Sequence, residues 1–275
     1  MLPALPPPVA RSVTGYRRLA DRLLPGRVTG LYVVGSVALG AYRPARSDID
    51  LVVVLDGPPR PDDLGRLRRL HLGSAAATAA RSVRRGRSPL RGTCNAVFVH
   101  AADLTVPVTR IVPVAAAVGE RVTPGAAGSD VSPVAWTVLA DRGVVVRGPH
   151  PGTLGLDPEP HRLRAWNLDN LESYWRPLAR HYAADALPLR LRPRWSTAWA
   201  VLGPPRLHRT VATGEVVSKE AAGQYALDVL DPRWRPLVRY ALAYWREEPL
   251  SAPPPPRPLV AEYVEHVIES AHALR

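Results

Sequence analysis

Residues 31–55 read LYVVGSVALGAYRPARSDIDLVVVL, and the order of their parts decides the fold. Leu31-Tyr32-Val33-Val34 is a short apolar strand broken by Gly35-Ser36, and residues 49–55 form a second one. Between them, 37–41 fits a short helix, and Pro44 with Ser47 marks a turn. Alternate residues of a strand share a face. Asp48 and Asp50 therefore present two carboxylates side by side where the second strand begins. Adjacent carboxylates repel each other unless a cation lies between them. Mg²⁺ held by one or two carboxylates, with substrate phosphates completing its octahedron, is the usual resolution. At the Gly35-Ser36 corner, glycine permits close approach, and backbone N–H groups with the Ser36 hydroxyl suit phosphate oxygens. A phosphate cradle and a carboxylate pair are thus joined by a spacer of 11 residues.

Upstream, Val13, Tyr16, Leu19, Leu23 and Leu24 fall at helical spacing within 11–24, ended by Pro25-Gly26, while the proline-rich 3–9 reads as irregular. Downstream come a helix over 61–86, a strand at 96–99, a Pro- and Gly-rich loop region over 105–128, a helix at 133–141 and a strand at 144–147. Beyond about residue 158 the strand signal vanishes. Leu171, Tyr174, Trp175, Leu178 and Tyr182 share one helical face, and further helices are expected over 196–212, 218–230, 233–246 and 259–274. The segment 249–258, with four consecutive prolines, is a stiff connector. The expected class is α+β, with an α/β domain over 1–155, an all-helical domain over 156–275, and a ligand cleft between them.

With 275 residues, 46% hydrophobic and 22% charged, the chain has globular proportions. No apolar run reaches the ~18 residues of a membrane span, and the first residues lack the pattern of a secretory signal. A single cysteine, Cys94, excludes an internal disulfide and a multi-cysteine zinc site, so a reducing cytoplasm is the expected compartment. The net charge is +12, and of 36 Lys and Arg residues only Lys219 is a lysine. That skew fits a GC-rich coding sequence, yet a cationic surface still favours polyanionic ligands such as nucleotide phosphates or nucleic acid. The basic residues are scattered with no aromatic-interleaved platform, so a nucleic-acid partner is not favoured, and a monomer is expected.

A Gly-Ser corner followed by Asp-x-Asp resembles the nucleotidyltransferase superfamily of the DNA polymerase β type. The resemblance implies a mixed sheet flanked by helices, the triphosphate at Gly35 and Ser36, two Mg²⁺ ions on Asp48 and Asp50, and in-line attack on an α-phosphorus. Residues 206–227, RLHRTVATGEVVSKEAAGQYAL, resemble the helical C-terminal domain of the aminoglycoside adenylyltransferases that modify streptomycin and spectinomycin. In that domain a helix ends in a Thr-Gly turn, followed by Ser/Pro-Lys and an Ala-rich helix with an aromatic residue. Together the resemblance covers 31–55 and 196–247. It implies ATP as donor, AMP transfer to a hydroxyl of a small-molecule acceptor, and the family's part in antibiotic resistance. It also implies that Lys219 contacts the triphosphate, Arg206 faces the nucleotide and Tyr244 lies near the adenine. A compact ammonium acts as a point charge on phosphate. Lys219 opens a helix, where the dipole disfavours a cation, so it needs another reason to be there.

The departures are specific. The family's third carboxylate, a general base near the start of the strand at 96–99, has Thr93, Cys94 and Asn95 in its place. Cys94 serves as a base only with a lowered pKa, and Asp103 and Asp130 lie outside the motif. Where the family binds a cationic drug with acids, this chain has Arg190, Arg192 and Arg194 beside Trp195, which suits an anionic or neutral acceptor. Transfer to streptomycin or spectinomycin is therefore expected to be slow, by the ~10²–10⁴-fold a general base is worth. Two other functions fit the same residues: a nucleotide-binding regulatory relative with weak or no transfer, and a transferase or binding protein acting on RNA or protein. Trp166, Trp175, Trp195 and Trp199 read as packing, with Trp175 best suited to line the cleft. His161, His181 and His208 have no metal-ligand spacing, and Arg43 and Arg46 flank the loop before Asp48.

Overall fold

The computed structural model describes residues 5–57, 60–84, 93–119, 121–125, 131–184, 193–250 and 252–274. Asp130, Arg190 and Arg192 lie outside the described residues. The chain forms two compact units, Met1–Pro160 and His161–Arg275, each with its own core. Among the described residues, no helix is long and apolar enough to cross a membrane.

In the first unit the apolar runs become β1 (Val28–Val33), β2 (Ile49–Leu55), β3 (Cys94–His100), β4 (Ala115–Val118), β5 (Arg121–Pro124) and β6 (Val144–Arg147). They lie in the order β5-β4-β3-β2-β1-β6. Among the described residues, only β2 and β3 pair in parallel, and α3 (Asp63–Val83) supplies the crossover such a pair requires. Ile49, Leu51, Val53 and Leu55 share a core with Cys94, Ala96 and Phe98, with Val13 and Tyr16 of α1 (Pro7–Leu23), and with Leu67 and Leu70 of α3. Period-2 alternation then puts Asp50, Val52 and Val54 on the opposite face with Asn95, Val97 and Val99.

Residues 3–9 are not wholly irregular, because α1 starts at Pro7, where a proline's fixed φ and missing N–H suit the first helical turn. Within 105–128 lies the β4–β5 hairpin. Its strand Ala-Ala-Ala-Val carries almost no intrinsic β preference and is held by burial and by pairing with β3.

The second unit is helical: α5 (Leu163–Asn170), a π-helical turn (Leu171–Trp175), α6 (Arg176–Ala184), α7 (Arg194–Leu202), α8 (Pro204–Thr213), α9 (Lys219–Val229), α10 (Arg235–Trp245) and α11 (Arg257–Ala273). The helix expected over 196–212 is two helices, since Pro204 and Pro205 lack the N–H that continuation needs. The stripe Val260, Tyr263, Val264, Val267, Ile268 and Ala271 of α11 is buried in this unit's core.

His208 is buried on α8, with Nδ1 2.9 Å from the Tyr225 hydroxyl and Nε2 3.0 Å from Ser270 Oγ. Burial, with a smaller push from nearby His266, lowers its pKa to about 4. The folded state thus prefers the neutral ring. The stability this contributes is complete above the ordinary value of about 6.5 and is lost as pH falls towards 4. Urea denaturation at pH 7 and pH 4.5 is expected to show a loss of roughly 2–3 kcal/mol in the wild type that His208→Gln does not share.

Candidate active site

Four strand ends converge at one edge of the sheet. β1 ends there, β2 and β3 begin there because they run antiparallel to β1, and β4 ends there because it runs antiparallel to β3. The chain leaves β1 through Val34, whose N–H donates to the Asp50 carbonyl at 2.9 Å, and turns into α2 (Gly35–Ala38). This short helix starts two residues earlier than 37–41, at the corner itself. Gly35 sits at φ +59°, and a Cβ on it would lie only 2.9 Å from Asp50 Cγ. Two independent constraints therefore demand glycine: the left-handed backbone and the carboxylate packed against it. Ser36 follows, half-buried.

The return segment is closed by Ser47, which is buried. Its Oγ accepts from the Arg43 N–H at 3.1 Å, and its own N–H donates to the Arg43 carbonyl at 2.8 Å. This turn delivers Asp48, exposed just before β2, and Asp50, half-buried as its second residue. Tyr42, in the same segment, packs against the core of this unit. Its hydroxyl pKa is raised by burial first, then by Cys94 and Asp48.

The structure separates the three residues 93–95. Cys94 pairs with Ile49 and faces the core, and burial drives its thiol pKa up to about 12, so it is no thiolate. Asn95 pairs with Asp50, and its Nδ2 donates to Asp50 Oδ1 at 3.4 Å. Its Oδ1 accepts from the Gly119 N–H at 3.3 Å. A backbone N–H only donates, so the amide oxygen is committed to Gly119 and the NH₂ end faces Asp50. The Gly119 carbonyl lies 2.7 Å from Nε2 of buried His71 on α3, which anchors the turn. Sequence reading missed this chain of contacts. Its one visible trace is Gly119, which takes a positive φ after β4. Asp103 lies past the far end of β3, five residues of strand or roughly 17 Å beyond Asn95, and is not part of this edge. Among the described residues, no group of three or more His, Cys, Asp or Glu forms a metal cage. Two hard carboxylates beside the Gly35-Ser36 corner nevertheless fit Mg²⁺, which takes few protein ligands and completes its shell with phosphate and water.

Arg206, Lys219 and Tyr244 belong to the second unit. Gly214, at φ +75°, ends α8, and Thr210 Oγ1 donates to the Glu215 carbonyl at 2.8 Å. Arg206 Nε donates to the Val217 carbonyl at 3.2 Å. Ser218 then caps α9 by accepting from the Ala221 N–H. The turn before Lys219 is thus tied at three points, and the ammonium rests over the Trp245 ring at 4.7 Å from its centroid. Tyr244, next in chain to Trp245, is largely buried at 9% exposure. Trp175 does not line an opening: it is 5% exposed, and a Cβ on Gly203 would collide with its ring. The exposed aromatics of this unit are Tyr174, stacked edge-on against Trp175 and Trp199, and Trp195 beside Arg194.

Comparisons with known proteins agree with this layout. Residues 16–75 match the model of the nucleotidyltransferase domain, and residues 166–270 match that of the aminoglycoside adenylyltransferase C-terminal domain. No curated protein sequence matches. Among solved structures, the spectinomycin adenyltransferase AAD(9) from Enterococcus faecialis, crystallised with ATP and spectinomycin, superposes with a TM-score of 0.72 at 15% identity, covering 94% of this chain and 99% of that one. At that identity the likeness is one of fold, and the two domain matches carry the rest. With a nucleotidyltransferase domain in its first half and an aminoglycoside adenylyltransferase C-terminal domain in its second, the chain is a nucleotidyltransferase that resembles the aminoglycoside adenylyltransferases.

Proposed function

We propose that the chain is an Mg²⁺-dependent adenylyltransferase that moves AMP from ATP to a small-molecule acceptor. The observation that carries this reading is the Asp50 carboxylate, seated against Gly35 at the Gly-Ser corner, with Asp48 two residues ahead of it in the chain. In this reading Asp48 and Asp50 hold the cation, while the Ser36 hydroxyl and the neighbouring backbone N–H groups receive phosphate oxygens. Mg²⁺, when bound, supplies Lewis-acid charge neutralisation at the transferring phosphoryl group. Lys219 adds a point charge on the triphosphate, Arg206 holds the turn that presents it, and Tyr244 flanks the base.

Support for ATP as donor comes from the spectinomycin enzyme of the same fold, which was crystallised with it. The experiment is calorimetric titration of the full chain with each of the four nucleoside triphosphates, with and without Mg²⁺. ATP is expected to bind best and only weakly without the metal. Equal binding in EDTA contradicts the reading.

The Lys219 assignment has its own check. Lys219→Ala is expected to weaken ATP binding by about 1–3 kcal/mol, the scale of a charge-assisted hydrogen bond. Because Ser218 and not Lys219 caps α9, the substitution spares the helix start. Unchanged affinity by calorimetry means that Lys219 only packs on Trp245.

A further inference from the structure

Transfer to an alcohol requires a proton to leave an oxygen that holds it almost as tightly as water does. The family resemblance puts a general-base carboxylate near the start of β3, and there the residue paired with Asp50 on the open face of the sheet is Asn95. An amide nitrogen has no basic lone pair, and the Gly119 N–H fixes this amide with its NH₂ end towards Asp50, so the site edge presents a donor. Cys94 is turned into the core and Asp103 sits at the other end of β3. Asp48 and Asp50 are taken by the cation in the reading above, on which this inference rests.

We propose that Asn95 is a specificity-determining residue, and that the acceptor is an oxyanion, a phosphate monoester or a carboxylate, whose attacking oxygen is already ionised at neutral pH. A phosphate monoester loses its second proton near pH 6, and a carboxylic acid ionises near pH 4. Neither needs a base. The acceptor oxygen forms a bond to the α-phosphorus of ATP. The bond from that phosphorus to the bridging oxygen of the β-phosphate breaks, and pyrophosphate leaves with the electron pair. No proton is transferred. The products are a diphosphate diester or an acyl adenylate, plus pyrophosphate. The amide carries a second N–H of the kind an attacking oxyanion accepts, and the net charge of +12 favours anionic acceptors over polycationic ones.

The test incubates the full chain with Mg²⁺ and α-labelled ATP and follows AMP adducts by mass spectrometry. The probes are glycerol 3-phosphate, sugar 1-phosphates and short carboxylates, against spectinomycin and streptomycin. The wild type is expected to favour at least one oxyanion over both drugs by 10-fold or more in kcat/KM. Its rate should also lack the rise with pH that hydroxyl ionisation imposes. Asn95→Glu is expected to reverse the preference, losing at least 10-fold with oxyanions and gaining transfer to a hydroxyl. Efficient wild-type transfer to either drug, or no adduct with any oxyanion while Mg·ATP binds normally, overturns the inference and leaves the adenylyltransferase reading standing. Loss of Mg²⁺-dependent ATP binding in the wild type instead overturns the reading beneath it.

Discussion

Asp50→Asn is expected to lower AMP transfer by about 10³-fold or more, roughly 4 kcal/mol of transition-state stabilisation, while the chain stays folded. The substitution keeps the shape of the side chain. The new amide oxygen can still accept from Asn95, and Gly35 still has room for it, so the packing at this edge survives. What disappears is the negative charge that holds a hard divalent cation. The half-saturating Mg²⁺ concentration should rise together with the loss in kcat, and ATP affinity should fall only in the presence of metal. Asp48→Asn should do the same less completely, since Asp48 is exposed and ahead of the strand whereas Asp50 is fixed within it. Transfer that survives in the double substitution would refute the assignment of these carboxylates to a metal. A circular dichroism melt of each variant against the wild type separates loss of chemistry from loss of fold.

The largest effect on stability is expected at a position remote from the carboxylate pair. Arg27, just before β1, and Asp63, at the start of α3, form an ion pair at 2.7 Å with both side chains almost fully buried. Arg27 also donates to the Asp56 carbonyl, and Asp63 accepts from the Arg60 N–H at 2.8 Å. The pair therefore ties the end of β2 to the start of the crossover helix. Asp63→Ala removes the carboxylate and leaves a guanidinium buried without it, a change that typically costs about 3–5 kcal/mol. Against a whole-domain stability of roughly 5–15 kcal/mol, that is a large fraction. Urea denaturation of the full chain should show a lower midpoint with an unchanged slope. The double substitution Arg27→Met with Asp63→Leu should recover most of the loss, because it removes the desolvated charge along with its partner. If the single substitution costs less than about 1 kcal/mol, water reaches the guanidinium and the pair is not truly desolvated.

Much of this protein was legible locally. The break at Gly35-Ser36 and the return at Asp48-Ile49-Asp50 announce themselves as departures from apolar strands, and the stripe of α11 is a 3.6-residue period that any reader of residues 260–271 can find. These features depend only on neighbours in sequence, because side-chain direction along a strand or helix follows from backbone geometry. What lay beyond the sequence is whatever depends on register between segments far apart in the chain. Which of Thr93, Cys94 and Asn95 faces Asp50 is settled only by the pairing of β3 with β2. A shift of one residue in that pairing would have aimed Cys94 at Asp50 and buried the amide instead. The β4–β5 hairpin had no local signal, since its alanines are strand only by virtue of the strand beside them, yet it brings Gly119 to orient Asn95. Trp175, expected to line the cleft, is buried instead, and the absence of a side chain at Gly203 is what lets it sink into the core. Which chemical groups the chain owns, and which elements carry them, can be read along the residues alone. Which group faces which follows from strand pairing and core packing, which are summed over contacts that no local window contains.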